Sequence, residues 1–261
     1  MGRYEKDDFF RVPTEHAETS QGAVELPILY YDTSNVVAFF VSPKAAVSQL
    51  LEGTGLKPAL SFGPWSVIAL SFYEYRKTTV GVYNEVGVAI PVVHKNIPTP
   101  LGGLTDLFRP LNQRDLGFYV VDLPVTTDVA NAAGRELWGY PKFVTDIVFS
   151  LDAKQFHGKV LDPTERKMIV SLEGGLGIGV RASPISPITY SKLAQQWLKT
   201  TVNVRGPVQL GWSPSMRLTV GTSSHPMAER LRGLGLNRAR PLCLMSTHLF
   251  QSRLNKGAPC F

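Results

Sequence analysis

One lysine stands where its surroundings could give it chemistry. In the run Gly134-Arg135-Glu136-Leu137-Trp138-Gly139-Tyr140-Pro141-Lys142-Phe143 a helical pattern stops at Gly139. Pro141 then forces extended backbone, and Lys142 opens a strand. Alternation puts Lys142 on the face of Val144 and Val148, with Phe143, Thr145 and Ile147 on the other. Both faces are largely apolar, so the lysine leans against a buried surface. Two outcomes stay open. The stem can cover apolar neighbours while the head reaches water, or the whole side chain lies inside, where burial favours neutral amine over ammonium. The difference is chemical. A free lysine, with a pKa of about 10.4, is an amine only about once in 2,500 at pH 7, and the amine is the form that attacks a carbonyl carbon.

Other familiar chemistries lack their motifs. No Gly-x-Gly-x-x-Gly follows a strand, and there is no phosphate-binding loop or Gly-x-Ser-x-Gly elbow; Gly174-Gly175-Leu176-Gly177-Ile178-Gly179 reads as a glycine-rich turn. His16, His94, His157, His225 and His248 are dispersed without paired ligand spacing, so no metal site is expected. Cys243 and Cys260 are far apart and form no Cys-x-x-Cys, which argues against a disulfide framework. The net charge of +6 comes from scattered basic residues, the densest being Arg230, Arg232, Arg238 and Arg240. That is a solvated face rather than a phosphate-tracking groove, so no nucleic-acid partner is expected.

Short strand-like runs supply the scaffold. Val36–Val41, Trp65–Tyr75, Tyr83–Val93, Gly117–Leu123, Phe143–Leu151, Gly158–Leu161, Lys167–Leu172 and Met216–Val220 recur between turn signals. Helical patterns cover Ala45–Leu51, Thr127–Leu137 with a threonine cap, and Pro226–Leu234 after Ser224 or His225. The stretch Asn96–Gln113 has no clear period and reads as a long loop. With no linker or repeat, residues 1–261 are expected to form one domain. Its class is α+β, mainly antiparallel β, with sheets curled towards a barrel.

The Gly-Arg-Glu-Leu…Tyr-Pro-Lys run closely resembles the active-site segment of acetoacetate decarboxylases, in which the lysine after Tyr-Pro forms a Schiff base. Upstream, Gly81-Val82-Tyr83-Asn84-Glu85-Val86-Gly87-Val88-Ala89-Ile90-Pro91 resembles that family's strand carrying an active-site glutamate. The similarity is clear from Val36 to Leu151 and thin beyond. It implies a cone-like β-barrel with a few short helices, Lys142 as nucleophile and Glu85 as its catalytic polar partner. By the same resemblance Tyr83, Arg135, Tyr140 and Glu74 are candidates for substrate binding. Three positions depart from the family pattern. Phe143 replaces a second lysine, no arginine occurs between Glu25 and Asn35, and a further family glutamate aligns to Leu70, with Glu74 as a shifted substitute. Phe143 points away from Lys142 by alternation, so that loss should matter little.

The resemblance therefore implies a carbon–carbon lyase that forms a Schiff base with an oxo-acid. Either a 3-oxo acid is decarboxylated or a 2-oxo acid enters aldolase or dehydratase chemistry. The alternative is a non-catalytic small-molecule-binding barrel. The lysine is itself the electron sink, so no cofactor is expected. Tyr73, Tyr75, Tyr83, Phe72 and Trp138, in or beside the matching segments, suggest a cavity for bulkier oxo-acids than acetoacetate. Hydrophobic residues make up 44% and charged residues only 18% of the chain, which favours a thick, dry interior over disorder. No apolar stretch approaches the ~20 residues a membrane helix needs. A cytoplasmic homo-oligomer without membrane partners is the expectation.

Overall fold

The structure, a computed structural model, describes residues 4, 7–98 and 100–261. Two short strands, β1 (Glu15–Ala17) and β2 (Val24–Leu26), pair with each other. The long β3 (Ile28–Pro43) leads into α1 (Lys44–Leu50), followed by β4 (Leu56–Pro58), β5 (Ser61–Phe62), β6 (Trp65–Thr78), β7 (Tyr83–His94) and β8 (Gly117–Val125). Next come α2 (Asp128–Trp138), β9 (Lys142–Val144), β10 (Ile147–Leu151), β11 (Gln155–Leu161) and β12 (Met168–Gly175). The chain continues through β13 (Ile178–Ala182), β14 (Ile188–Leu193), β15 (Gln196–Arg205), β16 (Val208–Trp212) and β17 (Arg217–Val220). It ends with α3 (Pro226–Gly233), β18 (Cys243–Leu254) and β19 (Ala258–Pro259).

Seven strands form a ring in the order β18–β3–β6–β7–β8–β14–β15, and β15 returns to β18 from Val202–Leu254 to Arg205–Gln251. Neighbours run antiparallel except β8 and β14, which are parallel. A second sheet, β10–β11–β12–β17, packs on the outside together with α3. Between them lies the larger core: Val36, Phe40, Leu70, Phe72, Val86 and Ile90 from the ring meet Phe156, Ile169, Leu172, Leu218, Met227 and Leu231. Phe72, fully buried against Phe156 at 5.4 Å between ring centroids, contributes about 1.5–3 kcal/mol by leaving water. This arrangement explains why β3, β6 and β7 read as apolar on both faces. One face meets the outer sheet and the other meets the ring interior.

The interior side has its own core of Tyr30, Tyr75, Tyr83, Val120, Leu123 and Val125, closed by Ala130, Ala133 and Trp138 of α2 and by Tyr140. α2 packs on β8, β9 and β14. Its Thr127 cap is as expected: Oγ1 accepts from the Ala130 N–H at 3.4 Å, an interaction of a type worth about 1 kcal/mol. His225 caps α3, accepting from the Met227 N–H before the first-turn Pro226. No helix among the described residues is long and apolar enough to cross a membrane.

Two expected elements change. The single strand Phe143–Leu151 is two: β9 pairs with β8, and β10 belongs to the outer sheet. The chain crosses between sheets at Thr145 and Asp146, where the Thr145 N–H donates to Val125 O and its hydroxyl to Leu161 O. Val148 thus leaves the face of Lys142 and is exposed. The stretch read as a loop instead carries 3-10 turns at Pro100–Phe108 and Leu111–Gln113.

Candidate active site

The turn between α2 and β9 sets the position of Lys142. Gly139 has φ 68°, a left-handed conformation that ends the helix without a Cβ clash. A Cβ there would also lie 2.1 Å from the Lys192 carbonyl oxygen, so β14 can approach this closely only because position 139 is glycine. The Tyr140 N–H bonds back to Gly134 O at 3.0 Å, and Arg135 Nη1 donates to the Lys142 carbonyl at 2.9 Å. β9 then pairs in parallel with β8, placing Lys142 opposite Leu123. That edge of β8 is free for it because β14 pairs only at Phe118 and Tyr119.

Inside the ring, Lys142 Nζ donates to Glu85 Oε2 at 2.6 Å, with both side chains at most 10% exposed. The Tyr75 hydroxyl donates to the other carboxylate oxygen at 3.3 Å. The Tyr83 ring lies 5.7 Å from Nζ, within cation–π range. Tyr30 and Tyr83 share a hydroxyl–hydroxyl bond of 3.2 Å, and the Tyr75 ring packs between theirs at 4.5 and 4.7 Å. Of the two outcomes left open for the lysine, the structure shows the interior one.

Gly134 makes this possible. A Cβ at that position would lie 2.3 Å from Lys142 Cε and 2.4 Å from Cδ, so the lysine stem fills the space a side chain would take. The glycine of the Gly-Arg-Glu motif is therefore a steric requirement of the lysine, eight residues before it in sequence but in contact beneath α2.

The tyrosines are held protonated. Burial pushes Tyr73 and Tyr140 up to about 12, with the Glu85 charge adding to it. Tyr30, Tyr75 and Tyr83 are held well above the ordinary tyrosine value, again mainly by burial and then by neighbouring charges. They are hydrogen-bond donors rather than bases at any working pH.

The structure brings Lys142, Glu85 and Tyr83 together, with Tyr140 beside them through its hydroxyl on Thr189 Oγ1 at 2.6 Å. Two residues expected to contact substrate lie outside this cluster. Arg135 is exposed and grips the backbone of Lys142 from outside the ring, because it follows Gly134 on the helix and turns off the inner face. Glu74 lies between Tyr73 and Tyr75, so pleating turns it outward, where Arg76 holds it at 2.8 Å. Phe72 also faces outward, in the larger core. Phe143 faces away from Lys142 as expected and packs on His225 at 4.5 Å between rings. Sequence reasoning did not place Tyr30, Thr33 and Asn35 on the inner face of the ring. They sit on β3, and only its pairing with β6 reveals their direction.

The site is thus a buried lysine–carboxylate pair inside a ring of strands, fixed by a glycine-mediated helix-to-strand turn. The chain belongs to the acetoacetate decarboxylase family, whose model matches residues 11–194. No curated protein matches it. Solved structures are similar in fold. One described as acetoacetate decarboxylase has a TM-score of 0.63 at 16% identity, covering 90% of this chain and 89% of its own. The acetoacetate decarboxylase from Legionella pneumophila gives 0.63 at 14% identity, covering 98% and 95%. The enduracididine biosynthesis enzyme MppR complexed with pyruvate gives 0.58 at 11% identity, covering 89% and 90%.

Proposed function

We propose that this protein is a Schiff-base-forming lyase acting on an oxo-acid through Lys142. The observation that carries the reading is the 2.6 Å contact between Lys142 Nζ and Glu85, both buried beside Tyr75 and Tyr83. An ammonium and a carboxylate so close share a proton that has a short path between them. Its transfer to Glu85 leaves a neutral amine and a neutral acid, with no net change of charge in a dry site. The amine attacks the ketone carbon, and Glu85 returns the proton to the hydroxyl that leaves as water. The resulting iminium withdraws electrons from the adjacent bond. From a 3-oxo acid that bond is the one to the carboxylate, and carbon dioxide departs. From a 2-oxo acid the Glu85 carboxylate, freed by the loss of water, takes a proton from the carbon next to the iminium instead, giving an enamine for addition to an aldehyde. Protonation and hydrolysis then release product and regenerate the lysine. Membership of the decarboxylase family and the likeness to a fold bound to pyruvate support both branches.

Incubation with acetoacetate or pyruvate plus borohydride, followed by peptide mass spectrometry, tests the assignment. The reduced adduct should map to Lys142 and vanish in Lys142→Ala. An adduct on another lysine, or none with any oxo-acid, overturns it.

A further inference from the structure

Two side chains on β3 carry buried polar atoms that meet nothing. Asn35 is 0% exposed, and neither its Oδ1 nor its Nδ2 has a hydrogen-bond partner; Thr33, equally buried, leaves Oγ1 without one. Native interiors satisfy nearly all such atoms, because an unmet buried donor or acceptor retains its whole desolvation cost.

The register says where they point. Asn35 pairs with Tyr73 and Tyr73 with Glu85; Thr33 pairs with Tyr75 and Tyr75 with Tyr83. Directly opposed residues share a face of the sheet, so both look into the ring that holds Lys142. Their neighbours look outward: Ser34 accepts from Arg76 Nη1 at 2.5 Å, and Val36 lies in the outer core. Asn35 is two strands from Glu85, about 10 Å along a flat sheet and less across a curved one.

Charge narrows what fits. The rows Thr33–Tyr75–Tyr83, Asn35–Tyr73–Glu85 and Val37–Ser71–Gly87 contain no arginine or lysine. Lys142, which reaches this space, is already matched by Glu85. Arg76 is tied to Asp32 and Glu74 on the outer face. A carboxylate beside Asn35 would find donors but no opposite charge. A neutral amide or hydroxyl would find both a donor and an acceptor.

We propose that Asn35 and Thr33 form a specificity subsite for the far end of the substrate, and that the group bound there is uncharged and both donates and accepts hydrogen bonds. Resting on the Schiff-base reading, this makes the substrate an oxo-acid with its carboxylate near the ketone and a primary amide or hydroxyl several bonds away.

Three methyl ketones of matched length separate the cases: 6-oxoheptanamide, 6-oxoheptanoate and 7-methyloctan-2-one. Borohydride trapping at Lys142 is followed against concentration for each, with acetone as a control too short to reach Asn35. The wild type should half-saturate with the amide at a concentration about tenfold below either of the others, equivalent to about 1.4 kcal/mol. Asn35→Leu should erase that preference while acetone trapping, which reports folding, stays within about twofold. Thr33→Val, which keeps the shape, should weaken it. Equal half-saturation by all three ketones in the wild type, or a preference that survives both substitutions, overturns the subsite. If no ketone is trapped at all, the Schiff-base reading fails instead. Calorimetric binding of the three compounds to Lys142→Ala then decides the subsite alone: tighter binding of the amide supports it, and equal or absent binding overturns it.

Discussion

Gly134 is the residue whose replacement most cleanly separates fold from chemistry. An added Cβ would collide with the distal carbons of Lys142 rather than with backbone. The end of a flexible side chain can move, so Gly134→Ala should fold. Alanine also suits a helix interior better than glycine, by about 1 kcal/mol, which offsets part of the crowding. The displaced lysine loses its contact with Glu85, however, and its path to a bound ketone. Borohydride trapping in Gly134→Ala should fall at least tenfold, with a melting temperature within a few degrees of wild type. Trapping at the wild-type rate would mean that the lysine reacts from a different position. The same steric logic explains why this role could not be read from the sequence. The motif shows a glycine in a helix, where a packing reason or a costly accident look alike, and only the three-dimensional path of the lysine stem distinguishes them.

At the level of elements, the helix-to-strand turn was legible and its outer grip was not. Thr127, Gly139 and Pro141 each impose a local backbone conformation, so α2 and the start of β9 follow from residue types alone. Which way Arg135 and Glu74 point depends on helix rotation and strand register, which residue types do not set. The ring-closing strands were hidden for a related reason. β18 shifts register between Thr247 and Phe250 and again between Phe250 and Ser252, so its sequence lacks period-two alternation. β13, which lies outside the ring, is hidden differently: it exposes Ile178 and Val180 at an edge, where apolar residues no longer mark a buried face. Arg135 nevertheless acts on the site through the turn, by holding the carbonyl of Lys142. Arg135→Ala should leave the melting temperature nearly unchanged, since the side chain is exposed, yet slow acetone trapping about tenfold without altering the acetone concentration that gives half-maximal rate. If trapping is unaffected, Gly139 and Pro141 alone fix the turn.

At the scale of the whole molecule, a carboxylate held below its ordinary range joins the outer sheet to α3 and makes stability depend on acid. Asp162, at the end of β11, accepts from the Thr164 and Glu165 N–H groups at 2.8 and 2.9 Å and from Ser223 Oγ at 2.5 Å. Ser223 in turn accepts from the His225 N–H at the start of α3, so one carboxylate joins the β11–β12 turn to the helix beside Phe143. The Ser223 hydroxyl first, then the Glu165 N–H, holds Asp162 below the usual aspartate value. A depressed folded-state pKa contributes stability that is complete above the unfolded value, near 3.9, and is lost as pH falls through the folded one. Asp122 has the opposite sign. Burial raises it despite its bidentate bond to Arg230, so its ionisation costs stability as pH rises and protonation relieves that cost in acid. Asp162→Asn should therefore lower the melting temperature by a few degrees at pH 7. The gap should shrink steadily below about pH 4, where the wild type loses the same charge. A gap that stays constant from pH 7 down to pH 2.5 would show that Asp162 acts through its shape and not through its ionised form.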